Sequence, residues 1–329
     1  MNKRDPIAVK IEQRSGIIDV YRCMLMFGVC LLHAITQGGY VIRGLDNLLS
    51  PCVIGFFIIS GWFGMRLKPS KVLRLLGIVF YAVVVNDLVA YCSWNEHGGA
   101  LRGYWFVWSY LVVMLFSPLV QKCSEAVGRN VRDGLIIVIP IFICVFVWSY
   151  ATKIPVISNF VPSDGGFGAF SSLTFVGVYA CVRIMKTIGV FDKLTRRQLF
   201  VMCFCSAVLV YVGFYHHNSL FAFIFALSSF LLFINLRLPP WCLKLAHIIA
   251  PSMFAIYLFH STNLGFKLIG IVEKYFVDAF GISIPSTHMI TAVMIFTLGL
   301  IIDIPRRIFC YYNRNRLLTV YDIIDKNWK

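Results

Sequence analysis

Charged residues are scarce in this chain, and acidic residues are the scarcest of them. Only 14% of the 329 residues are charged, with 15 acidic against 30 basic side chains, whereas 59% are hydrophobic. A soluble globular domain typically has about 25% charged residues, so the composition excludes that class. Apolar runs recur instead at lengths near 20 residues, which is about what a helix needs to cross a bilayer. The sequence therefore predicts an integral membrane protein.

The positions of these runs predict an all-α polytopic fold with about ten transmembrane helices. The predicted spans are 17–37, 45–66, 72–92, 104–121, 134–151, 169–187, 199–215, 219–236, 246–266 and 287–309. We expect residues 1–329 to form a single transmembrane domain with short cytoplasmic tails at about 1–16 and 310–329. The longest outer connections are expected at about 93–103, 152–168 and 267–286.

The net charge of +15 is explained by where the basic residues fall. With a cytoplasmic N-terminus, most of them lie in cytoplasmic segments. The outer segments hold Arg43, Arg102, Lys153, Lys267 and Lys274. An excess of Lys and Arg on one side is typical of the cytoplasmic loops of membrane proteins. This distribution predicts that both termini are cytoplasmic, and it favours membrane lipids over nucleic acid as the surroundings of the basic residues.

Signals of metal or disulfide chemistry are missing from the sequence. The 11 cysteines lie mostly within apolar spans and lack metal-ligand spacing, so we interpret them as core or lipid-facing residues and expect no metal site. No zinc-protease motif, phosphate-binding glycine loop or Gly-x-Ser-x-Gly turn is present. Four further histidines fall in outer loops or at helix ends, where we expect them to be solvated: His97, His216, His217 and His288.

The first predicted helix carries three ionisable residues, Asp19, Arg22 and His33. Arg22 and His33 are 11 residues apart, which places them about 20° apart around a helix axis and about 16 Å apart along it. Asp19 precedes Arg22 by three residues and lies on the same side. Each residue alone fits a packing or anchoring role. Because ionisable groups at membrane depth are costly and usually line an interior path, their shared face indicates a functional site.

Other polar residues fit either a structural or a functional role. Ser60 and Gly61 are typical of close helix packing in membranes. Lys71 and Arg74 fit a cytoplasmic loop, and they equally fit a site for phosphate groups. Asp87, at a depth similar to His33, is a candidate partner for that imidazole.

Two late helices add further candidates. His260 lies in the outer half of the ninth predicted span, close to Tyr257, and is either a hydrogen-bonded packing residue or part of the site. Asp303 precedes Arg306 and Arg307 at the inner end of the last span, where we expect it to have a structural role.

Several segments occur in an order that has a counterpart among known membrane enzymes. They are Asp19-x-x-Arg22 with His33 after ten intervening residues, Phe56-Phe57-Ile58-Ile59-Ser60-Gly61-Trp62, Lys71-x-x-Arg74, the run from Trp105 to Pro118, and Tyr257-Leu258-Phe259-His260. In these segments the chain resembles the integral-membrane acyltransferase-3 family. Trp62 and Lys71 depart from the family's usual Phe and Arg, and the proline that commonly follows the basic element is missing.

The resemblance implies an O-acyltransferase, most often an O-acetyltransferase, that moves an acyl group from cytosolic acyl-CoA to a hydroxyl of a cell-surface polysaccharide or its lipid-linked precursor. Family habit places such a multi-pass protein in the cell inner (plasma) membrane. Acetyl-CoA is then a co-substrate, and no cofactor is expected to stay bound. Some members carry an additional SGNH-type domain, and we expect none here.

Acyl transfer assigns roles to the candidate residues. His33 is expected to be the general base for the acceptor hydroxyl, or to carry the acyl group covalently. Arg22, fixed by Asp19, is positioned to hold a donor phosphate or the pantetheine carbonyl. Lys71 and Arg74 are expected to bind the phosphates of the donor. Ser60 is a candidate hydrogen-bond donor near the thioester, and Asp87, His260 and Tyr257 are candidate supporting residues.

Two other functions remain open from the sequence. A transporter or flippase for a glycan or small metabolite would use the same polar face as a substrate path, although the internal repeats common in secondary transporters are not evident. A scaffold for a glycan-assembly complex would leave the membrane-embedded Arg22 and His33 without a purpose. The sugar, the acyl group and the oligomeric state are not specified by the sequence.

Overall fold

The computed structural model describes residues 6–37, 42, 44–94, 104–147, 172–212 and 220–327. These residues form helices, with no strand among them, so the all-α prediction is confirmed. The first seven α-helices are α1 (Pro6–Gln37), α2 (Leu45–Leu49), α3 (Pro51–Phe63), α4 (Pro69–Trp94), α5 (Trp105–Val127), α6 (Val131–Phe142) and α7 (Ser172–Thr187). The next seven are α8 (Arg196–Tyr211), α9 (Leu220–Phe233), α10 (Pro240–Ile249), α11 (Met253–His260), α12 (Asn263–Phe280), α13 (Ile284–Tyr312) and α14 (Arg314–Asn327).

Within the described residues, six segments are long and apolar enough to cross a membrane. They are Gly16–Gln37, Leu45–Phe63, Pro69–Ser93, Trp105–Val127, Pro240–His260 and Ile284–Tyr312. A shorter apolar helix occupies Leu220–Phe233. A membrane protein is therefore confirmed at this level, while ten spans remain a prediction.

The prediction for the ninth span is corrected by a corner in the chain. The predicted span 246–266 is interrupted at Ser261–Thr262, and α12 begins directly afterwards, so the expected connection at 267–286 is largely helical. Thr262 has extended backbone angles, and its hydroxyl accepts a hydrogen bond from the Gly265 amide at 3.1 Å. This N-cap satisfies an amide that has no partner within the helix, which is why a new helix starts here.

Contacts divide the chain into two compact units. The first comprises Met1–Ile42, Lys68–Tyr104 and Leu236–Lys329, and the second comprises Arg43–Leu67 and Trp105–Asn235. All candidate site residues except Ser60 belong to the first unit.

In the first unit, α1 runs parallel to α10 and α11. Asp19 near the start of the buried part of α1 contacts His247 of α10 at 3.1 Å. Further along, the ring of His33 lies 4.8 Å from that of His260 on α11. Residue numbers therefore increase in the same direction along α1 as along α10 and α11.

In the same unit, α13 runs antiparallel to α11. Arg306 of α13 donates to the carbonyl of Pro251, just before α11, whereas Gly299 packs against Ile256 within it. A Cβ atom on Gly299 would lie 3.0 Å from Ile256 Cγ1, so the absence of a side chain permits this close approach.

The second unit is built around α7, which packs against α3, α5 and α6. Phe57 stacks on Phe175 with ring centroids 4.1 Å apart. Gly61 lies against the backbone of α7, because a Cβ there would be 2.8 Å from the Tyr179 carbonyl oxygen. The close packing predicted for Gly61 is thus confirmed.

Candidate functional site

A single unbroken helix, α1, carries Asp19, Arg22 and His33. The helix geometry used above therefore applies, with Arg22 and His33 on one side and about 16 Å apart along the axis. Arg22 donates to Asp19 at 3.1 Å, as the sequence predicted. The other oxygen of Asp19 contacts Nδ1 of His247 at 3.1 Å, a partner that the sequence did not indicate. The arginine side chain is 42% exposed, so its charge stays accessible.

The C-terminal half of α1 contacts a second histidine. The rings of His33 and His260 are 4.8 Å apart, and the Phe266 ring lies 5.4 Å from His33 at an interplanar angle of 83°. Tyr257 stands perpendicular to His260, with ring centroids 5.9 Å apart. The structure therefore brings His33, His260 and Tyr257 together in one aromatic cluster.

Hydrogen bonding defines which His260 nitrogen is free. Nδ1 of His260 lies 2.7 Å from the Ile256 carbonyl oxygen, and a carbonyl only accepts, so Nδ1 carries a hydrogen. In the neutral imidazole, Nε2 then has a lone pair. That Nε2 atom is buried without a partner among the described residues, as are Nδ1 of His33 and the hydroxyl of Ser261. Buried polar atoms are nearly always hydrogen-bonded, to protein or to ordered water, so these three atoms are candidate contacts for water or a ligand.

The predicted pairing of His33 with Asp87 is wrong. Asp87 is exposed, and its neighbour Asn86 is the residue that points into the unit, where it donates to the Tyr104 hydroxyl at 3.1 Å. Consecutive helical residues differ by about 100° in direction, so only one of the two can face inward. The Asn86 amide makes this buried hydrogen bond without the cost of burying a charge.

A cavity of about 1070 Å³ opens at the end of the first unit that holds the start of α4 and the end of α13. Four arginines contribute to its lining: Arg74, Arg306, Arg307 and Arg314. Tyr311, Tyr312 and Tyr321 line it as well, and the Arg74 guanidinium lies 5.2 Å from the centre of the Tyr321 ring. Cations and aromatic rings together suit a ligand that carries phosphates and a heteroaromatic base.

Only part of the arginine charge in this cavity is neutralised. Arg306 makes two hydrogen bonds to the buried Asp303, at 2.5 and 2.8 Å, which confirms the structural role predicted for that carboxylate. Among the described residues no carboxylate forms an ion pair with Arg74, Arg307 or Arg314. Three positive charges thus remain for an anionic ligand.

Helix α14 closes one side of this cavity and is fastened to α4. Asp325 accepts hydrogen bonds from the Ser70 amide at 3.1 Å and the Ser70 hydroxyl at 2.8 Å. Lys68 lies 3.6 Å from the same carboxylate. These contacts lower the pKa of the Asp325 carboxyl, the amide of Ser70 having the largest effect. Asp325 is thereby an N-terminal cap for α4 supplied from another helix.

Two predicted donor-binding residues lie apart from this cavity lining. Lys71 is exposed on α4, one turn before Arg74. Ser60 belongs to the second unit, and its hydroxyl donates to the Phe56 carbonyl at 3.0 Å within its own helix. Such a bond is the usual arrangement of serine inside an apolar helix.

Sequence reasoning missed one buried ionisable pair. His288 was expected to be solvated, but it is 1% exposed, and its Nδ1 lies 2.7 Å from the carboxylate of Glu273, which is fully buried. Burial raises the pKa of the Glu273 carboxyl, and the bond from His288 only partly offsets this. Helix spacing offers only a partial signal, because it places Phe266 and Glu273, seven residues apart, on one face of α12 but does not show that α13 covers this face. His97, His216 and His217 lie outside the described residues.

Comparison with known proteins adds no assignment to this geometry: no family model, curated protein or solved structure matches the chain.

Proposed function

We propose that the protein is a membrane O-acyltransferase, acetyl being the simplest group transferred. It takes the acyl group from cytosolic acyl-CoA and passes it to a hydroxyl of a cell-surface polysaccharide or its lipid-linked precursor. The observation that carries this proposal is the pair His33 and His260, whose imidazoles each have a buried nitrogen without a partner among the described residues; His33 shares α1 with Arg22. Ten spans, cytoplasmic termini and an inner (plasma) membrane location belong to the same proposal.

The reaction needs a base for the acceptor hydroxyl. In the proposed step His33 takes the hydroxyl proton as the oxygen attacks the thioester carbonyl carbon. The C–S bond then breaks, the ester remains on the acceptor, and the thiolate leaves with the CoA and is protonated from water. His260 orients the imidazole of His33 by ring contact, and the buried Ser261 hydroxyl supplies a donor for the oxyanion.

Donor binding is assigned to the opposite end of the unit. Arg74, Arg307 and Arg314 bind the phosphates in the cavity, and the tyrosines beside them stack on the adenine. Arg22 holds the pantetheine arm further along α1. The roughly 16 Å from Arg22 to His33 approaches the length of that arm, so a donor bound from the cytoplasm reaches the histidine pair.

A reconstituted assay tests the proposal. The purified protein in lipid nanodiscs receives acetyl-CoA and glycan isolated from cells that lack the protein. We expect release of free CoA thiol together with an acetyl ester on the glycan, detected by mass spectrometry. Absence of both products with a folded protein contradicts the proposal. Movement of labelled glycan across vesicles without thiol release would instead identify a flippase.

A further inference from the structure

The pair formed by Glu273 and His288 is separate from the groups assigned above. Both side chains are at least 99% buried, on adjacent helices α12 and α13, and the second oxygen of Glu273 has no partner among the described residues. Burying two ionisable groups costs several kcal/mol, about as much as their attraction returns, so such a pair is a poor device for stability alone. The pair lies on the helix whose Phe266 contacts the histidine cluster, and this position indicates a role.

One face of α12 connects the two places. Phe266, which contacts the His33 ring, and Glu273, which contacts His288, are seven residues apart on this helix. Seven residues amount to almost two full turns, so both side chains point to the same side, about 10 Å apart along the axis. The buried carboxylate thus lies two turns along α12 from Phe266, the residue that contacts the His33 ring, and on the same face of that helix.

The neighbouring helix α13 carries a buried hydroxyl at about the level of the two histidines. Phe27 of α1 meets Phe296 of α13 with ring centroids 6.1 Å apart, and Ile256 meets Gly299. Counting from these contacts along antiparallel helices, the level of His33 and His260 falls at about residues 290–295 of α13. Thr291 is in this interval, fully buried, and its hydroxyl has no protein partner in the part of the chain that is described. One turn further out on the same stripe is His288.

We propose that Thr291, His288 and Glu273 form a proton outlet for the acyl-transfer site, an inference that rests on the function proposed above. Because the Thr291 hydroxyl has no direct partner among the described residues, bridging water carries the proton from His33 to Thr291 and on to His288. The Nδ1–H of His288 then passes a proton to the Glu273 carboxylate, which releases it to outer water. The departing thiolate takes a proton from the cytoplasmic side. Bonds and charges balance, and His33 returns to its neutral form for the next acceptor.

The ionisable groups around this route are few. The helices packed against α12 are α1, α11 and α13, and they contribute His33, His260 and His288. The charged residues of α12 itself, Lys267, Lys274 and Asp278, are exposed. On α13, Asp303 is paired with Arg306 and lies about four turns further along the helix than His288. Glu273 is therefore the one carboxylate that faces the histidines in the described part of these helices.

The test compares Glu273→Gln with Asp278→Asn, which makes the same chemical change at an exposed site of the same helix. Release of the CoA thiol is measured in nanodiscs across a range of pH, with acetyl-CoA and glycan isolated from cells that lack the protein. The native rate should rise with pH as the outlet loses its proton, because only the deprotonated form accepts another. We expect Glu273→Gln to be at least about tenfold slower, to lose this rise, and to recover with added formate, a small diffusible proton carrier. Asp278→Asn should match the native protein.

A second variant keeps the test independent of folding. Thr291→Val is isosteric and removes a buried hydroxyl without a partner, so a purely structural role predicts equal or greater stability and full activity. We expect unchanged thermal unfolding and a severalfold slower reaction. The inference is overturned if Thr291→Val and Glu273→Gln are fully active, or if Glu273→Gln is slow with a native pH profile and no response to formate. If the native protein releases no thiol at all, the proposed function fails and not merely the outlet.

Discussion

The two ends of the first unit differ in the partners of their polar and charged side chains. At the inner end of the proposed topology, Asp19 and Asp303 are each paired with an arginine, and further arginines line a cavity. At the outer end the buried carboxylate of Glu273 is paired with His288, and His33 and His260 each keep a buried nitrogen without a partner among the described residues. The two ends therefore differ in the basic side chain that partners their carboxylates, which is arginine at the inner end and histidine at the outer end.

The largest effect is expected at the outer end, from His33→Gln. This change removes the base while keeping a polar side chain of similar size, and general-base catalysis is worth about 10²–10⁴-fold. Acyl transfer to the glycan should fall by about that factor, with normal protein abundance in the membrane fraction. Leu32→Ala, at the preceding half-buried position, is the control and should keep most activity. Full acyl transfer by the His33 variant would show that His33 is not the base, and the proposed difference between the two ends would fail.

At the inner end, Arg74→Gln should weaken donor binding and leave chemistry intact. A hydrogen bond to a charged group contributes about 1.5–3 kcal/mol, which corresponds to roughly ten- to hundredfold in binding. We expect the KM for acetyl-CoA to rise by about that factor at an unchanged kcat. Arg316→Gln removes an exposed arginine of α14 that does not line the cavity, and it should leave KM unaltered. A drop in kcat alone would show that the cavity is not the donor site.

The corner between α11 and α12 offers a sharper probe of how His260 is held. A Cβ on Gly265 would lie 2.6 Å from the carbonyl carbon of His260, so Gly265→Ala must push this residue away from His33. We expect a loss of about 1–3 kcal/mol in stability and a lower kcat. Gly270 on the same helix faces open space, and Gly270→Ala should stabilise by about 0.5–1 kcal/mol with native activity. Equal behaviour of the two variants in thermal unfolding would contradict this packing.

The smallest effect is expected from Asp325→Asn at the edge of the cavity. The ordinary unfolded carboxyl titrates near 3.8, and its pKa is lowered in the folded chain, so the contact contributes fully at neutral pH and is lost as pH falls through and below that value. The variant should exchange the Ser70 amide hydrogen faster, measured by hydrogen–deuterium exchange. Asp322→Asn, at an exposed acidic position of the same helix, should not.

Periodic features of this fold were readable from the sequence. Apolar runs of bilayer length predicted the helices, and the spacing of Asp19 and Arg22 predicted their ion pair. Asp303 and Arg306 were predicted in the same way. All of these are contacts within one helix, where geometry follows from residue number alone.

Contacts between helices were not readable in the same way. Asp87 was predicted to partner His33, but a rotation of about 100° turns Asn86 inward instead, and the ring of His260 lies beside His33. His288 was misjudged because it lies near a helix end, where solvent is the usual neighbour. Its burial follows from α12 packing beside α13, which the pattern of a single helix does not reveal.

The cap on α4 has a consequence for the order in which the protein matures. Ser70 receives its hydrogen-bond acceptor from a residue 255 positions later in the chain. At synthesis rates of about 5–20 residues per second, the first turn of α4 waits roughly 10–50 s for its partner. The arginine-lined cavity is consequently among the last parts to be completed, and a nascent chain already inserted in the bilayer still lacks the wall that α14 contributes.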